Sequence, residues 1–198
     1  MVLVPESKLL AWCCGVTKIL RSASRARTSL RRLRVRSRVR WGNLRRTEPF
    51  SRHWGLERGT PVDRVLIERF LHDHRIDVGG RVLEVTDAGY SHRFGEDRLK
   101  HATVLDIDRT NERATLIADL GEPDSLPVNA FDCIILTQTL HIISNDEVAC
   151  RNLWRSLTPG GVLLLTAPVV SGLRTNDAAD YWRYTPMGLA RLLSQTCD

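Results

Sequence analysis

The stretch RVLEVTDAGYSHRFG, residues 81–95, predicts a strand that runs through a short turn into a helix. Its apolar run, 82–85, has the length of a buried strand, and the polar turn after it contains only one glycine, Gly89. Nucleotide-binding folds bring a ligand to such a turn, usually with several glycines that let the backbone approach closely. Alone, the stretch fits a cofactor-binding turn, a degenerate one, or an ordinary strand–turn–helix unit.

Around this stretch, predicted strands and helices alternate along the chain. Further strands are predicted at 102–107, 114–118, 131–136 and 162–167, and helices from Thr60, at 146–157 and at 186–195. The strand runs are apolar on both faces, as in a parallel sheet that helices cover on both sides. The pattern predicts an α/β fold with a doubly wound, mostly parallel sheet of about five strands.

The positive charge of the chain is concentrated near its N-terminus. Residues 1–48 contain 13 Lys and Arg against two acids, a net charge of +11, whereas residues 49–198 contain 16 against 21, a net charge of −5. We therefore expect a basic leader, 1–48, followed by a domain, 49–198. An apolar helical face at 8–20 and eleven arginines at 21–46 fit a disordered leader, an anionic membrane surface or nucleic acid. Two aromatic residues make nucleic acid the least favoured of these.

Cysteine usage and hydropathy point to a reducing compartment. The five cysteines are odd in number and show no C-x-x-C spacing, so we expect neither a disulfide framework nor a metal site. No apolar run reaches the roughly 18 residues that span a bilayer, and no small-residue cleavage site follows the apolar segment 9–16. We expect a cytoplasmic protein, either free or attached peripherally to a membrane through its leader.

Acidic residues follow successive predicted strands. Ligands of open α/β sheets bind beyond the carboxyl ends of the strands. Asp108 suits an acid that accepts hydrogen bonds from both ribose hydroxyls, because it follows the last apolar residue of its strand; Asp106 is the rival. Asp119, after the third strand, suits an acceptor for an adenine amino group. A single Asp is more often a turn or cap residue, but recurrence at successive strand ends favours a nucleoside site.

Four segments in order, VLEVTDAGY, VLDID, IADLGEPDSLPVNAFDCIILTQTLHII and LWRSLTPGGVLLLTAP, resemble class I S-adenosylmethionine-dependent methyltransferases of the Rossmann-like, type 11-like kind. The resemblance covers roughly residues 51–193. It implies S-adenosylmethionine as cofactor and methyl transfer to an oxygen or nitrogen of a small molecule or glycan. The glycan is included because HWGLERGTPVDRVLIERFL resembles a subgroup often associated with glycan-modifying systems. The alternative is a methyltransferase-like binding domain without activity.

The resemblance also implies roles for individual residues. The residues expected at the cofactor are Glu84, Thr86, Gly89, Asp108, Asp119, Leu120, Thr137 and Gln138. Of these, the first three would surround the methionine part, Asp108 would hold the ribose, and the two at 119–120 would flank the adenine. The residues expected on the acceptor side are Arg58, Asp63, Asp180 and Trp182, with Asp177, Tyr181 and Arg183 in the same loop as the last two. His141 is the candidate general base because it follows the fourth strand and titrates near neutrality, although a polar helix start explains it as well.

Two features depart from the family pattern. Aligned on Glu84, the three glycine positions of E-x-G-x-G-x-G hold Thr86, Ala88 and Tyr90, so Tyr90 must either lie aside or stack on the cofactor. The turn also lacks the G-x-G-x-x-G of nicotinamide-dependent oxidoreductases, which disfavours that class. Second, we expect the C-terminal antiparallel hairpin of the family to be lacking, with a truncated chain or a partner that covers the open sheet edge.

Overall fold

The computed structural model describes residues 42–43, 46–48, 51, 55–172 and 179–196. The predicted leader helix at 8–20, most of the arginine run and Asp177 lie outside these residues. The described residues divide into two units, and the second unit begins at Val62. Within the first unit, a 3-10 helix spans Leu56–Arg58. The leader and domain limits predicted from charge stay a prediction.

The second unit is built on a parallel sheet. Its strands in the described ranges are β1 Gly80–Val85, β2 Leu99–Asp106, β3 Leu116–Ile117, β4 Phe131–Thr137 and β5 Leu157–Thr166. They lie in the order β3-β2-β1-β4-β5, and every pair is parallel. The chain starts in the middle, moves out to β3 and returns to the other side of β1, so the order reverses between β1 and β4. This arrangement confirms the predicted doubly wound α/β fold.

Helices cover both faces of the sheet. The described helices of this unit are α1 Val62–Asp73, α2 Gly89–Gly95, α3 Asp146–Ser156 and α4 Pro186–Thr196. On one face, Leu71 of α1 and Phe94 of α2 pack with the buried Val82 of β1. On the other face, α3 and α4 pack on the sheet through residues such as Leu153 and Leu189. Both faces are therefore buried, which explains why the strands are apolar throughout.

The strand ends differ from the predicted ones for local reasons. β2 ends at Asp106 rather than at Ile107, because the Asp106 carboxylate accepts a hydrogen bond from the Asp108 amide and turns the chain. β5 begins at Leu157 rather than at 162, because Leu157 already pairs with Phe131. The Pro-Gly-Gly segment then forms a register shift inside the strand instead of a turn before it.

Asp132 joins three strands at the amino edge of the sheet. Its carboxylate accepts hydrogen bonds from the Arg81 amide at 2.9 Å and from the Thr158 hydroxyl at 3.0 Å, and it forms an ion pair with the Arg81 guanidinium at 3.3 Å. These bonds with Arg81 and Thr158 lower the pKa of Asp132 to about 2. Gly80 approaches this carboxylate with a φ of 68°, where a Cβ would collide with it, so glycine is required here.

Cys133 is fully buried in the core, and burial raises the pKa of its thiol to about 12. No helix in the described ranges is long and apolar enough to cross a membrane.

Candidate functional site

The carboxyl ends of β1 and β4 meet at the point where the strand order reverses. The residue directly after each of these neighbouring strands has a backbone in the left-handed region. Thr86, after β1, has a φ of 73°, and Gln138, after β4, has a φ of 49°. Such backbone is uncommon for residues other than glycine, and it is an outlier for a β-branched one. Strained backbone concentrates at functional sites, and ligands bind at this point of doubly wound sheets. This edge is therefore the candidate site.

Thr86 stands at the first glycine position and forms a very tight turn. The Asp87 amide donates to the Val85 carbonyl at 2.9 Å, which closes a γ-turn around Thr86. The Thr86 amide donates to the Leu105 carbonyl of β2, and its carbonyl accepts from the Asn111 side chain, both at 2.9 Å. Its side chain is exposed. Hydrogen bonds to the backbone around Thr86 therefore hold it in a conformation that glycine would adopt freely.

Glu84 fixes the start of α2. This buried carboxylate accepts hydrogen bonds from the Tyr90 amide at 3.0 Å, the Ser91 amide at 2.7 Å and the Ser91 hydroxyl at 2.6 Å. Burial raises the pKa of Glu84, and the hydrogen bonds oppose this rise because they stabilise the ionised form. The protein thus uses Glu84 to position the helix that follows the turn.

Gly89 begins α2 in close contact with Asp87. Its amide donates to the Asp87 carboxylate at 2.7 Å, and a Cβ on Gly89 would lie 2.8 Å from that same oxygen. A larger residue at this position would have to displace the Asp87 carboxylate from its hydrogen bond with the backbone. The one glycine in the turn thus lies where the Asp87 carboxylate approaches the backbone.

Tyr90, at the third glycine position, lies aside. Its hydroxyl accepts a hydrogen bond from Arg64 of α1, and the Arg64 guanidinium carbon lies 5.8 Å from the centre of its ring. The Tyr90 ring also packs 6.0 Å from that of Phe94. Of the two predicted alternatives, the structure has the first. Asp63, a predicted acceptor residue, is exposed beside Arg64 in the first turn of α1.

The two acids after β2 have different surroundings. Asp106 is the last strand residue and is partly buried; one of its oxygens accepts from the Asp108 amide at 2.9 Å and the other from the Asn111 side chain at 2.6 Å. Asp108 is exposed and accepts from the amide and hydroxyl of Thr110, both at 2.8 Å, and these bonds lower its pKa. The strand ends before Ile107, which is 65% exposed, so "last apolar residue, then acid" describes Asp106.

The segment after β3 is held by hydrogen bonds from helix α3. Asp119 is exposed and accepts a hydrogen bond from the Gly121 amide at 2.7 Å, whereas the Leu120 side chain packs in the core. The buried Asn152 of α3 donates to the carbonyls of Leu120 at 2.9 Å and Glu122 at 2.7 Å. Asn152 therefore fixes the backbone on which the predicted adenine contacts lie.

The segment after β4 contacts the segment after β5. Thr137 ends β4, and the Gln138 amide donates to the Thr166 carbonyl of β5 at 2.9 Å. His141 lies in the 3-10 helix Leu140–Ile142, and its side chain is buried. The His141 carbonyl accepts from the amides of Tyr181 at 2.9 Å and Trp182 at 3.1 Å. The structure thus brings together three residues that the sequence analysis placed near the acceptor.

The side chains of Trp182 and Asp180, both predicted on the acceptor side, are held by contacts with the protein. The Trp182 indole nitrogen donates to the Ile143 carbonyl at 2.8 Å, so the ring is anchored while 39% of the residue stays exposed. Asp180 forms a bidentate ion pair with Arg183, at 2.5 and 2.8 Å. Arg58 belongs to the other unit, so its predicted role stays a prediction.

Sequence reasoning missed two asparagines and one arginine. Asn111 ties the turn at Thr86 to the carboxylate of Asp106, and Asn152 ties down the segment after β3. The contacts of Arg64 with Tyr90 link α1 to α2. A polar residue in the turn after a strand-end acid was the available signal for Asn111, whereas a polar position in an amphipathic helix gives no such signal for Asn152. Over the described ranges, no group of three or more His, Cys, Asp or Glu is placed to hold a metal ion.

Comparisons with protein families and solved structures show which proteins this chain is similar to. The family model described as a methyltransferase domain matches residues 82–165. No curated protein matches the chain significantly. An S-adenosylmethionine-dependent methyltransferase structure from Mesorhizobium loti is 16% identical, with a TM-score of 0.50 over 68% of this chain and 79% of that one. A second, from Archaeoglobus fulgidus, is 14% identical, with a TM-score of 0.52 over 69% of each chain.

One similar structure bears the name of a different activity. The cyclase SpnF is 22% identical, with a TM-score of 0.50, and the match covers 68% of this chain and 56% of that one, so this chain spans little more than half of it. These identities show a shared fold, which hosts more than one chemistry. With the match of residues 82–165 to the family model, they lead to one conclusion: the chain has the class I S-adenosylmethionine-dependent methyltransferase fold.

Proposed function

We propose that the carboxyl edge of the sheet binds S-adenosylmethionine and that the protein transfers its methyl group to an oxygen or nitrogen of a small molecule or glycan. One observation carries the proposal: the strained turn at Thr86 lies beside the strand-end acid Asp106, where the strand order of a methyltransferase domain reverses. A nucleoside needs an acid and an accessible backbone turn at this point of the sheet.

The residues at this edge fit the cofactor despite the missing glycines. Tyr90, the bulkiest residue of the turn, packs against Arg64 and Phe94. Thr86 already has the backbone conformation that the first glycine would supply. When bound, the cofactor supplies a methyl group on a sulfonium, which needs little chemical activation. The protein's part is then mainly to hold the two reactants in line.

Each strand end would hold one part of the cofactor. Asp106 would accept hydrogen bonds from the ribose hydroxyls; the exposed Asp108, favoured by sequence spacing, is the alternative. Asp119 would accept from the adenine amino group, and Thr137 with Gln138 would line the far side of the site. Glu84 and Gly89 would act at the methionine part indirectly, because their hydrogen bonds and close packing fix the turn.

The acceptor would lie near His141, Tyr181 and Trp182. The hydrogen bonds from the Tyr181 and Trp182 amides to the His141 carbonyl, which bring these residues together, support this placement. His141 would take a proton only where the attacking oxygen or nitrogen still carries one. Asp63 and Asp180 are proposed at the rim of the acceptor site. A cytoplasmic location, contact of the basic leader with an anionic membrane and a partner along the sheet edge belong to the same proposal.

Calorimetric titration of the full chain with S-adenosylhomocysteine tests the proposal. We expect saturable binding, no comparable binding of NAD⁺, and loss of most of the affinity in Asp106→Asn. If Asp108→Asn loses affinity while Asp106→Asn keeps it, the ribose assignment moves to Asp108 and the site stands. Absence of any binding at millimolar S-adenosylhomocysteine in folded protein would overturn the proposal.

A binding domain without methyltransferase activity is the second candidate. It is favoured by the departures at the glycine positions and by the burial of His141, the candidate base. Incubation with methyl-labelled S-adenosylmethionine and extracts rich in glycans and small metabolites separates the two candidates. Label that appears in an acceptor supports the enzyme, whereas tight binding without any label transfer supports the binding domain.

A further inference from the structure

Asn111 connects two parts of the candidate site that are far apart in sequence. Its side-chain amide nitrogen donates to the Thr86 carbonyl at 2.9 Å and to the Asp106 carboxylate at 2.6 Å. Its side-chain oxygen accepts from the Arg113 amide at 3.0 Å, which fixes the orientation of the amide group. Both donor hydrogens and one acceptor site of Asn111 are thus used to hold the site together.

The bond to Thr86 stabilises a backbone conformation that is unfavourable by itself. At Thr86, a left-handed β-branched residue replaces the glycine of related turns, at a cost of about 1–2 kcal/mol. The peptide after Thr86 is held on both sides: its amide hydrogen bonds to Val85 and its carbonyl to Asn111. Asn111 therefore holds in place what glycine would allow by its lack of a side chain.

The bond to Asp106 fixes the orientation of a carboxylate that keeps further acceptor sites. One Asp106 oxygen accepts from the Asp108 amide and the other from Asn111. A carboxylate offers about four acceptor sites, two on each oxygen. From the described residues each oxygen thus receives one bond, which leaves one site on each for a pair of adjacent hydroxyl groups, such as those of ribose.

From these contacts we infer that Asn111 is a positioning residue of the cofactor site, which sets the Asp106 carboxylate for the ribose diol and holds the Thr86 turn beside it. The inference rests on the proposed function, since it concerns the same site. It predicts that the affinity for the nucleoside depends on a side chain that does not itself touch the ligand.

Two substitutions in the full chain test this role, with S-adenosylhomocysteine as the probe in calorimetry. Asn111→Ala removes both donors, and we expect the affinity to fall by about tenfold or more, the usual effect of losing a bond to a charged group. Asn111→Asp keeps the shape and the bond from the Arg113 amide but sets a second carboxylate against Asp106. Glu112→Gln, next in the chain, is the matched control and should bind like the wild type.

The pH profile of Asn111→Asp separates positioning from a merely structural role. Two adjacent carboxylates share a proton as pH falls, so the protonated acid donates again to Asp106. We expect the affinity of this variant to be lowest at about pH 8 and to recover most of the loss by about pH 5.5, while the wild type and Glu112→Gln show no such recovery. Thermal unfolding of each protein at both pH values shows whether it is folded.

Each remaining outcome decides against the inference. Binding by both Asn111 variants within twofold of the wild type overturns the inference alone and leaves the proposed function standing. A loss in Asn111→Asp that is the same at every pH also overturns it. If both Asn111 variants fail to fold, Asn111 is a folding residue and the positioning role is wrong. Absence of binding by the folded wild type overturns the proposed function and the inference together.

Discussion

At the scale of single residues, the turn after β1 shows how the site is built without its glycines. Thr86 takes the left-handed conformation, Tyr90 turns onto Arg64, and Gly89 is kept only where Asp87 approaches. The sequence indicated the turn and its small residues, because an apolar strand followed by polar residues is a local pattern. It could not indicate the side on which Tyr90 packs, which depends on a helix 26 residues earlier in the chain.

Replacing Thr86 by glycine should stabilise the protein. Relief of the left-handed strain gains about 1–2 kcal/mol, and the greater freedom of glycine in the unfolded chain offsets about 0.5–1 kcal/mol of it. We expect Thr86→Gly to raise the free energy of unfolding by up to ~1 kcal/mol in urea titrations. Ala88→Gly, where φ is −105°, is the control and should lower it by about 0.5–1 kcal/mol. A loss in Thr86→Gly equal to that of the control would show that the turn is not strained.

At the scale of elements, strand ends and the segments after them carry the site. The strands were predictable because their apolar runs mark a sheet buried on both faces. The strand ends were less predictable, because β2 stops at Asp106, where the carboxylate accepts a hydrogen bond from the Asp108 amide. For this reason we propose Asp106, rather than Asp108, as the ribose acid. Contacts between distant segments, such as that of Asn152 with Leu120, have no local signal in the sequence.

Loss of Asn152 should loosen the segment after β3. In Asn152→Ala, the buried Leu120 carbonyl, the Glu122 carbonyl and the Asp124 amide lose their partner. We expect the free energy of unfolding to fall by about 2–3 kcal/mol, with faster hydrogen exchange in residues 121–126.

The exposed Asn145, whose side chain caps no helix amide, provides the matched control for Asn152. Asn145→Ala should change the free energy of unfolding by less than about 0.5 kcal/mol. Equal and small effects of the two substitutions would mean that the hydrogen bonds of Asn152 do not hold the segment.

Asp132 should make the stability of the sheet depend on pH in the acid range. Its pKa is lowered from 3.8 to about 2, so its contribution is full above about pH 4 and is lost as pH falls through about 2. Asp132→Asn should therefore cost stability at neutral pH, by about 1 kcal/mol because the pair is partly exposed and solvent screens it. Urea unfolding at several pH values measures the difference between the two proteins.

The difference between wild type and Asp132→Asn should shrink toward zero as the pH approaches about 2. Asp97→Asn serves as the control, since Asp97 is an exposed acid outside the hydrogen-bond network of Asp132. A wild-type advantage that stays constant down to about pH 2 would contradict the assigned role of the Asp132 charge.

At the scale of the whole molecule, the described part of the chain combines a five-stranded parallel sheet with a glycine-poor turn after β1. The fold class follows from the alternating elements, and the observed parallel sheet confirms it. The resemblance to methyltransferases follows from four motifs spread over the chain, and the family model matches residues 82–165. The acceptor has no comparable signal, because the residues near His141 are set by packing between segments after β4 and β5. The same fold in a protein named as a cyclase shows why the site must be tested directly.

The most direct test is a crystal structure of the full chain with S-adenosylhomocysteine. The account predicts ligand density at the carboxyl ends of β1, β2 and β4, with the ribose hydroxyls within hydrogen-bond distance of Asp106 and the adenine near Asp119. Density elsewhere on the molecule, or none at this edge at millimolar ligand while the sheet is unchanged, would contradict it.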